Sequence, residues 1–159
     1  IGVIIMEVSR SREPEAGFLE SIRKLASEKN IVLIFDECTS GFRETFGGLH
    51  KKYGVDPDMS VFGKALGNGY AITAIIGRRA IMEAAQSTFI SSTFWTERIG
   101  PTAAQKTLEV MEREKSWRQI TSTGQDIGKR WQTLGDKYNL PIEISGLPAL
   151  VTGSNAFKH

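Results

Sequence analysis

Ile31-Val32-Leu33-Ile34-Phe35-Asp36-Glu37 is an unbroken apolar run closed by two acids. A run this short, continuous and β-branched reads as a strand buried in a sheet. Just before it, Phe18, Ile22, Leu25 and Ala26 recur at helical spacing, which predicts an amphipathic helix over residues 15–29 with Asn30 as its stop. Before that helix, Ile1-Gly2-Val3-Ile4-Ile5-Met6 is a second buried-strand pattern. Strand, helix, strand in this order implies a right-handed crossover and a parallel sheet.

Downstream, residues 36–48 form a polar, glycine-rich loop. The turn Asp56-Pro57-Asp58 leads into a short strand, Met59-Ser60-Val61-Phe62, and residues 71–77 read as another. A short helix is expected over residues 79–86. A long helical region opens near Pro101, a residue suited to a first turn. Ala104, Leu108 and Met111 mark its apolar face, and Trp117, Ile120, Ile127, Trp131 and Leu134 carry the period to about Tyr138. From Leu140, two β-like runs flank Gly146-Leu147-Pro148. The pattern changes from mixed α/β to helix at residues 112–116, which sets the expected boundary between residues 1–113 and 114–159.

The 159 residues suffice for a domain with a real core, and 40% hydrophobic with 24% charged residues is ordinary for a globular protein. The net charge of +2 includes no basic block of the kind that grips nucleic acid. One cysteine, Cys38, excludes a disulfide within the chain and fits a reducing, cytoplasmic setting. No apolar run approaches the roughly 20 residues a membrane helix needs. The chain opens inside an apolar β-branched run and not with Met, so it is expected to be a fragment.

Ligands of open α/β sheets bind beyond the carboxyl ends of parallel strands. Two strands here end in acids, the first at Glu7 and the second at Asp36-Glu37. Three readings of the second are open. It could hold a magnesium ion in a nucleotide hydrolase, but Gly63-Lys64-Ala65 lacks the earlier glycine and the hydroxyl of a phosphate loop. It could merely cap a turn. It could serve a pyridoxal-phosphate site, and the stretch Pro57-Asp58-Met59-Ser60-Val61-Phe62-Gly63-Lys64-Ala65-Leu66-Gly67-Asn68-Gly69-Tyr70 favours that reading. In isolation Lys64 would be a surface lysine in a loop. A cofactor aldehyde gives it a purpose, because it needs a lysine amine for a Schiff base and for moving the substrate proton. It also needs a carboxylate at the ring nitrogen, and glycines that let the backbone approach a flat ring.

Together with Ile4 to Glu7, Phe18-Leu19-Glu20, Gly41-Phe42-Arg43 and Ser92-Thr93-Phe94, these segments resemble the class III aminotransferases in order and spacing over residues 1–113. Gly41-Phe42-Arg43 and Phe18-Leu19-Glu20 are most similar to the glutamate-1-semialdehyde aminomutase branch. The resemblance implies an α/β fold of the aspartate-aminotransferase type: the C-terminal half of the large cofactor-binding domain, then a connecting helix and the unfinished start of the small α+β domain. It implies pyridoxal 5'-phosphate as cofactor, a small amino or keto substrate, and a homodimer; no metal, nucleic-acid or membrane partner is expected.

The resemblance also implies roles: Asp36 for the ring nitrogen, Lys64 for the Schiff base and proton transfer, and Thr93 for the cofactor phosphate across the dimer interface. Cys38 would lie behind the ring, where simple packing is the favoured role. Thr39 departs from the pattern. Relatives usually carry Gln or Met there, and Gln would hydrogen-bond the ring hydroxyl, a contact Thr39 loses or reshapes. Val8 replaces a frequent proline, the loop over residues 8–16 is shortened, and Trp95-Thr96-Glu97-Arg98 replaces Ser-Gly-Asn-Pro. The phosphate-cradling segment and the ring-stacking aromatic are expected upstream of Ile1, so this piece alone should not catalyse transamination. The competing reading is a non-catalytic scaffold that keeps the fold, against which the retained Lys64 counts.

Overall fold

The computed structural model describes residues 2–155. The end of the first predicted strand at Ile1 and the tail over residues 156–159 lie outside the described residues. Four strands form one sheet in chain order: β1 (Val3–Glu7), β2 (Val32–Asp36), β3 (Met59–Phe62) and β4 (Ala74–Gly77). β1, β2 and β3 run parallel, and β4 closes the edge antiparallel. Helix α1 (Phe18–Glu28) makes the crossover between β1 and β2. The short helices α2 (His50–Tyr53) and α3 (Arg79–Met82) lead into β3 and out of β4.

Register and alternation sort the sheet into two faces. Leu33, Phe35, Ser60 and Phe62 are buried on one, under a core completed by Leu19, Ala26, Leu49 and Val55. The other carries the rows Ile5–Ile34–Met59 and Glu7–Asp36–Val61–Ile75. That face is open, with Val3 50%, Ile5 63% and Ile75 53% exposed. The continuous apolar runs lead one to expect cover on both faces; only one is covered by the described residues.

Helix α1 begins at Phe18 and not at residue 15, because Gly17 takes a left-handed φ of 80°. Its buried stripe is also shifted. Leu19 and Ala26 are buried, with Ile22 packed against the core, whereas Phe18 and Leu25 are 44% and 42% exposed. The long helical region is two helices, α4 (Ile99–Glu114) and α5 (Ser116–Tyr138). Lys115 separates them with a left-handed φ of 54°, inside the interval where the sequence pattern changes. Pro101 falls in the first turn of α4, where a missing N–H costs nothing. The Glu97 carboxylate accepts the N–H groups of Ile99 and Gly100, two of the donors a helix start leaves unpaired. Strands β5 (Ile142–Ser145) and β6 (Thr152–Asn155) pair antiparallel and pack on α5 through the turn Pro148–Leu150.

Candidate functional site at the carboxyl ends of β2 and β3

Asp36 is the last residue of β2 and stands opposite Val61 of β3, three positions before Lys64. One carboxylate oxygen, Oδ1, accepts the N–H of Cys38 at 3.0 Å. The other, Oδ2, has no hydrogen-bond partner among the described residues. The carboxylate is therefore held by its own loop through one oxygen and leaves the other unpaired among the described residues. Because Asp36 belongs to the open face of the sheet, that oxygen has room to be met.

Lys64 opens the single helical turn Lys64–Leu66 that follows β3. Its φ of 45° is left-handed, a conformation that costs a residue with a Cβ about 1–3 kcal/mol. The strain turns the lysine outward at the end of a buried strand. The exposed Lys64 ammonium donates to Thr39 Oγ1 at 3.0 Å, its one hydrogen-bond partner among the described residues. Cys38, which precedes Thr39 in the chain, is half-buried, and its thiol is pushed up by burial and by Asp36 against the opposing charge of Lys64. A thiol held up in this way is not an activated nucleophile, in keeping with a packing role.

Asp36, Cys38, Thr39 and Lys64 thus come together, and Thr93 does not join them. It sits on an exposed turn with no hydrogen bond to that group, beside Phe94 and Trp95, which are 74% and 69% exposed. Glu7, at the end of β1, is half-buried and faces Arg10 at 3.7 Å.

Glu37 has a role the sequence pattern does not reveal. Both acids after Phe35 read as rim residues, yet Glu37 is 0% exposed. The signal was available in strand parity: Asp36 shares its face with Ile34, and Glu37 shares its face with buried Leu33 and Phe35. Its carboxylate accepts the Ser40 hydroxyl, the Leu49 N–H at 2.9 Å and the His50 N–H at 3.0 Å, and it lies 2.9 Å from His50 Nδ1. Burial alone would raise its pKa, but the hydrogen bonds from His50, Ser40 and Leu49 outweigh burial and hold it below the ordinary value. The loop from Cys38 to Leu49 is thereby tied at both ends, with the hydroxyl of Thr39 inside it. Gly41 fits the same closure, since a Cβ there would come 2.7 Å from both the Glu37 carbonyl oxygen and Phe62 Cδ1.

A second buried carboxylate anchors the strands behind the site. Asp58 accepts the Leu33 N–H and an Arg23 N–H at 2.8 Å each, and pairs with Arg78 at 3.0 Å. Burial would raise its pKa, and the Leu33 N–H, Arg23 and Arg78 together lower it. A cavity of about 860 Å³ adjoins the far side of the Lys64 turn, between Ala65, Asn68, Arg43 and helix α4, and neither Asp36 nor Lys64 lines it.

These residues fit the cofactor that the sequence resemblance implies. A free carboxylate oxygen suits a protonated ring nitrogen, a solvent-exposed primary amine suits an aldehyde, and Gly63 keeps side chains away from the strand end. A Cβ at Gly63 would touch Cys38 Sγ and Thr73 Cγ2 at 3.4 Å. Among the described residues no cluster of His, Cys, Asp and Glu could hold a metal ion, and no helix is long and apolar enough to cross a membrane.

Comparison with known proteins gives the family. The model of the family "Aminotransferase class-III" matches residues 10–155. The 3-aminobutyryl-CoA aminotransferase of Cloacimonas acidaminovorans is 40% identical over 136 residues, 85% of this chain and 33% of that protein. The glutamate-1-semialdehyde 2,1-aminomutase of Methanocaldococcus jannaschii is 33% identical over 140 residues, 86% of this chain and 33% of that protein. The chain therefore spans about a third of the length of these relatives. Among solved structures, the FumI protein of Sphingopyxis sp. MTA144, in a PLP-linked form, superposes with a TM-score of 0.91 at 21% identity, over 97% of this chain and 39% of that one. At that identity the likeness speaks for the fold alone, of which this chain forms a part. With a family model covering most of its length and the same α/β architecture, the chain belongs to the class III aminotransferases.

Proposed function

We propose that this chain supplies the lysine and the ring-nitrogen carboxylate of a pyridoxal-phosphate aminotransferase or aminomutase. Lys64 is the cofactor lysine and Asp36 the carboxylate. The observation that carries the reading is their placement at the ends of adjacent parallel strands, Asp36 with one oxygen unused and Lys64 with an exposed amine on a strained backbone. When bound, the cofactor supplies an electron-withdrawing ring that stabilises negative charge on the substrate carbon bearing the nitrogen. Asp36 would accept a hydrogen bond from the ring N–H and favour its protonated form. The Lys64 amine would hold the cofactor through its aldehyde and would be the base that moves a proton at that substrate carbon. The clamped loop holds Cys38 and Thr39 next to Asp36 at the carboxyl end of β2.

The substrate in this reading is a small amino or keto compound, and the reaction is amino transfer between molecules or an amino shift within one. Similarity to both an aminotransferase and an aminomutase supports this pair of reactions. In the same reading, residues 1–113 are half of the large domain and residues 114–159 a link into the small one, the protein acts in the cytoplasm as a homodimer, and Thr93 meets the cofactor phosphate of the partner subunit. The test is borohydride reduction of the full-length protein followed by peptide mass spectrometry. A cofactor adduct on Lys64 is expected, and an adduct on another lysine overturns the assignment.

A further inference from the structure

We infer that Thr39 is a positioning residue for Lys64, its hydroxyl being the acceptor that holds the lysine ammonium in place whenever the amine is free; this rests on the reading of Lys64 as the cofactor lysine. The Lys64 backbone is left-handed at φ 45°, so its side chain leaves the strand end in a direction few lysines take. A four-carbon stem on such a backbone needs a fixed partner to occupy one position, because an unpaired lysine head samples many rotamers. Thr39 Oγ1, at 3.0 Å, is that partner, and no carboxylate lies within ion-pair distance of the Lys64 amine among the described residues. The hydroxyl is itself held. Thr39 is half-buried, its carbonyl faces Arg43 Nε at 3.4 Å, and the loop that carries it is closed by the buried Glu37 carboxylate on Leu49 and His50. The lysine donates and the threonine oxygen accepts, so the threonine O–H remains to donate to a ligand oxygen. A neutral partner suits a lysine that must leave and return. A carboxylate would hold the ammonium more tightly and keep the amine protonated, whereas a hydroxyl orients it through one modest hydrogen bond.

The test uses the full-length protein stripped of cofactor, in the native form and as Thr39→Val and Thr39→Ser. Each is labelled with a trace of acetic anhydride, and the acetylation of Lys64 is read by mass spectrometry against that of Lys24, an exposed lysine on α1. Valine keeps the shape of threonine and removes the acceptor. Acetylation of Lys64 relative to Lys24 should rise about tenfold in Thr39→Val, the equivalent of one hydrogen bond to a charged group at a partly exposed site, and stay near native in Thr39→Ser. A role confined to packing would leave this ratio unchanged in both. An unchanged ratio in Thr39→Val, or a serine variant that behaves as valine does, overturns the inference. Borohydride fixation of cofactor on a lysine other than Lys64 overturns instead the reading beneath it.

Discussion

At the scale of single residues, the two acids that end β2 divide their work by parity. Asp36 lies on the open face with one free oxygen, and Glu37 is buried beneath it with its acceptors filled. Replacing Asp36 with Ala should leave the cofactor attached to the full-length protein and lower kcat by about 10²-fold or more, as loss of a preorganised charge partner does. Steady-state kinetics with the cofactor content measured alongside checks this; near-native turnover would remove the electron-sink role. Glu37→Ala should act in another way, because it strands the buried donors of Leu49, His50 and Ser40. A loss of about 3 kcal/mol or more is expected, visible as a lower urea midpoint of the full-length protein, and an unshifted midpoint would contradict the clamp.

At the scale of elements, the packing of α5 on the turn Pro148–Leu150 sets local propensity against fit. Gly124 lies within α5, where alanine would improve helix propensity by about 1 kcal/mol. A Cβ at that position would come 1.7 Å from the Pro148 carbonyl oxygen, which is backbone and cannot turn aside. Overpacking costs about 1–3 kcal/mol, so Gly124→Ala should destabilise despite its better propensity; a raised thermal midpoint would refute the close approach. The carboxylate anchors give the elements a pH dependence. Glu37 and Asp58 both have folded pKa values below their ordinary ones. Their contribution is complete above the unfolded carboxyl pKa of about 4 and is lost as pH falls through the lower folded values. The urea midpoint should therefore fall below about pH 4, and fall less in the Glu37→Gln, Asp58→Asn double variant. Equal acid sensitivity of the two proteins would show that other groups govern it.

At the scale of the whole molecule, the open sheet face and the exposed Phe89, Phe94, Trp95 and Ile99 are more apolar surface than a lone small domain ordinarily shows. The chain spans about a third of the length of the relatives it matches, and in the proposed dimer these faces would be open to a partner. Thr93 lies in that apolar stretch, apart from Asp36 and Lys64. If it serves the partner's cofactor, a Lys64→Ala subunit mixed with a Thr93→Ala subunit should regain activity. One hybrid site carries both defects and the other carries neither. Were Thr93 to serve its own subunit, each hybrid site would keep one defect and mixing would restore nothing.

Much of this protein is legible in its sequence because apolar runs and turn residues act locally. The order of the four sheet strands and of the longer helices, the short strand Met59–Phe62, the stop at Asn30 and the change of pattern before Ser116 follow from periodicity and from which residues tolerate a turn, whereas the short helix α2 (His50–Tyr53) has no such signal. That Asp36 ends β2 and Lys64 follows β3, a neighbouring parallel strand, follows from motif order. What tertiary structure alone decided depends on atoms far apart in the chain. The roll of α1 exposes Phe18 and buries Leu19, because the sheet selects which stripe of an amphipathic helix it covers. The burial of Glu37 against Leu49 and His50 spans a loop whose closure no local pattern encodes. The hydrogen bond from Lys64 to Thr39 needs a left-handed lysine and a tied loop to meet across 25 residues of sequence, and only the folded chain brings them within 3.0 Å.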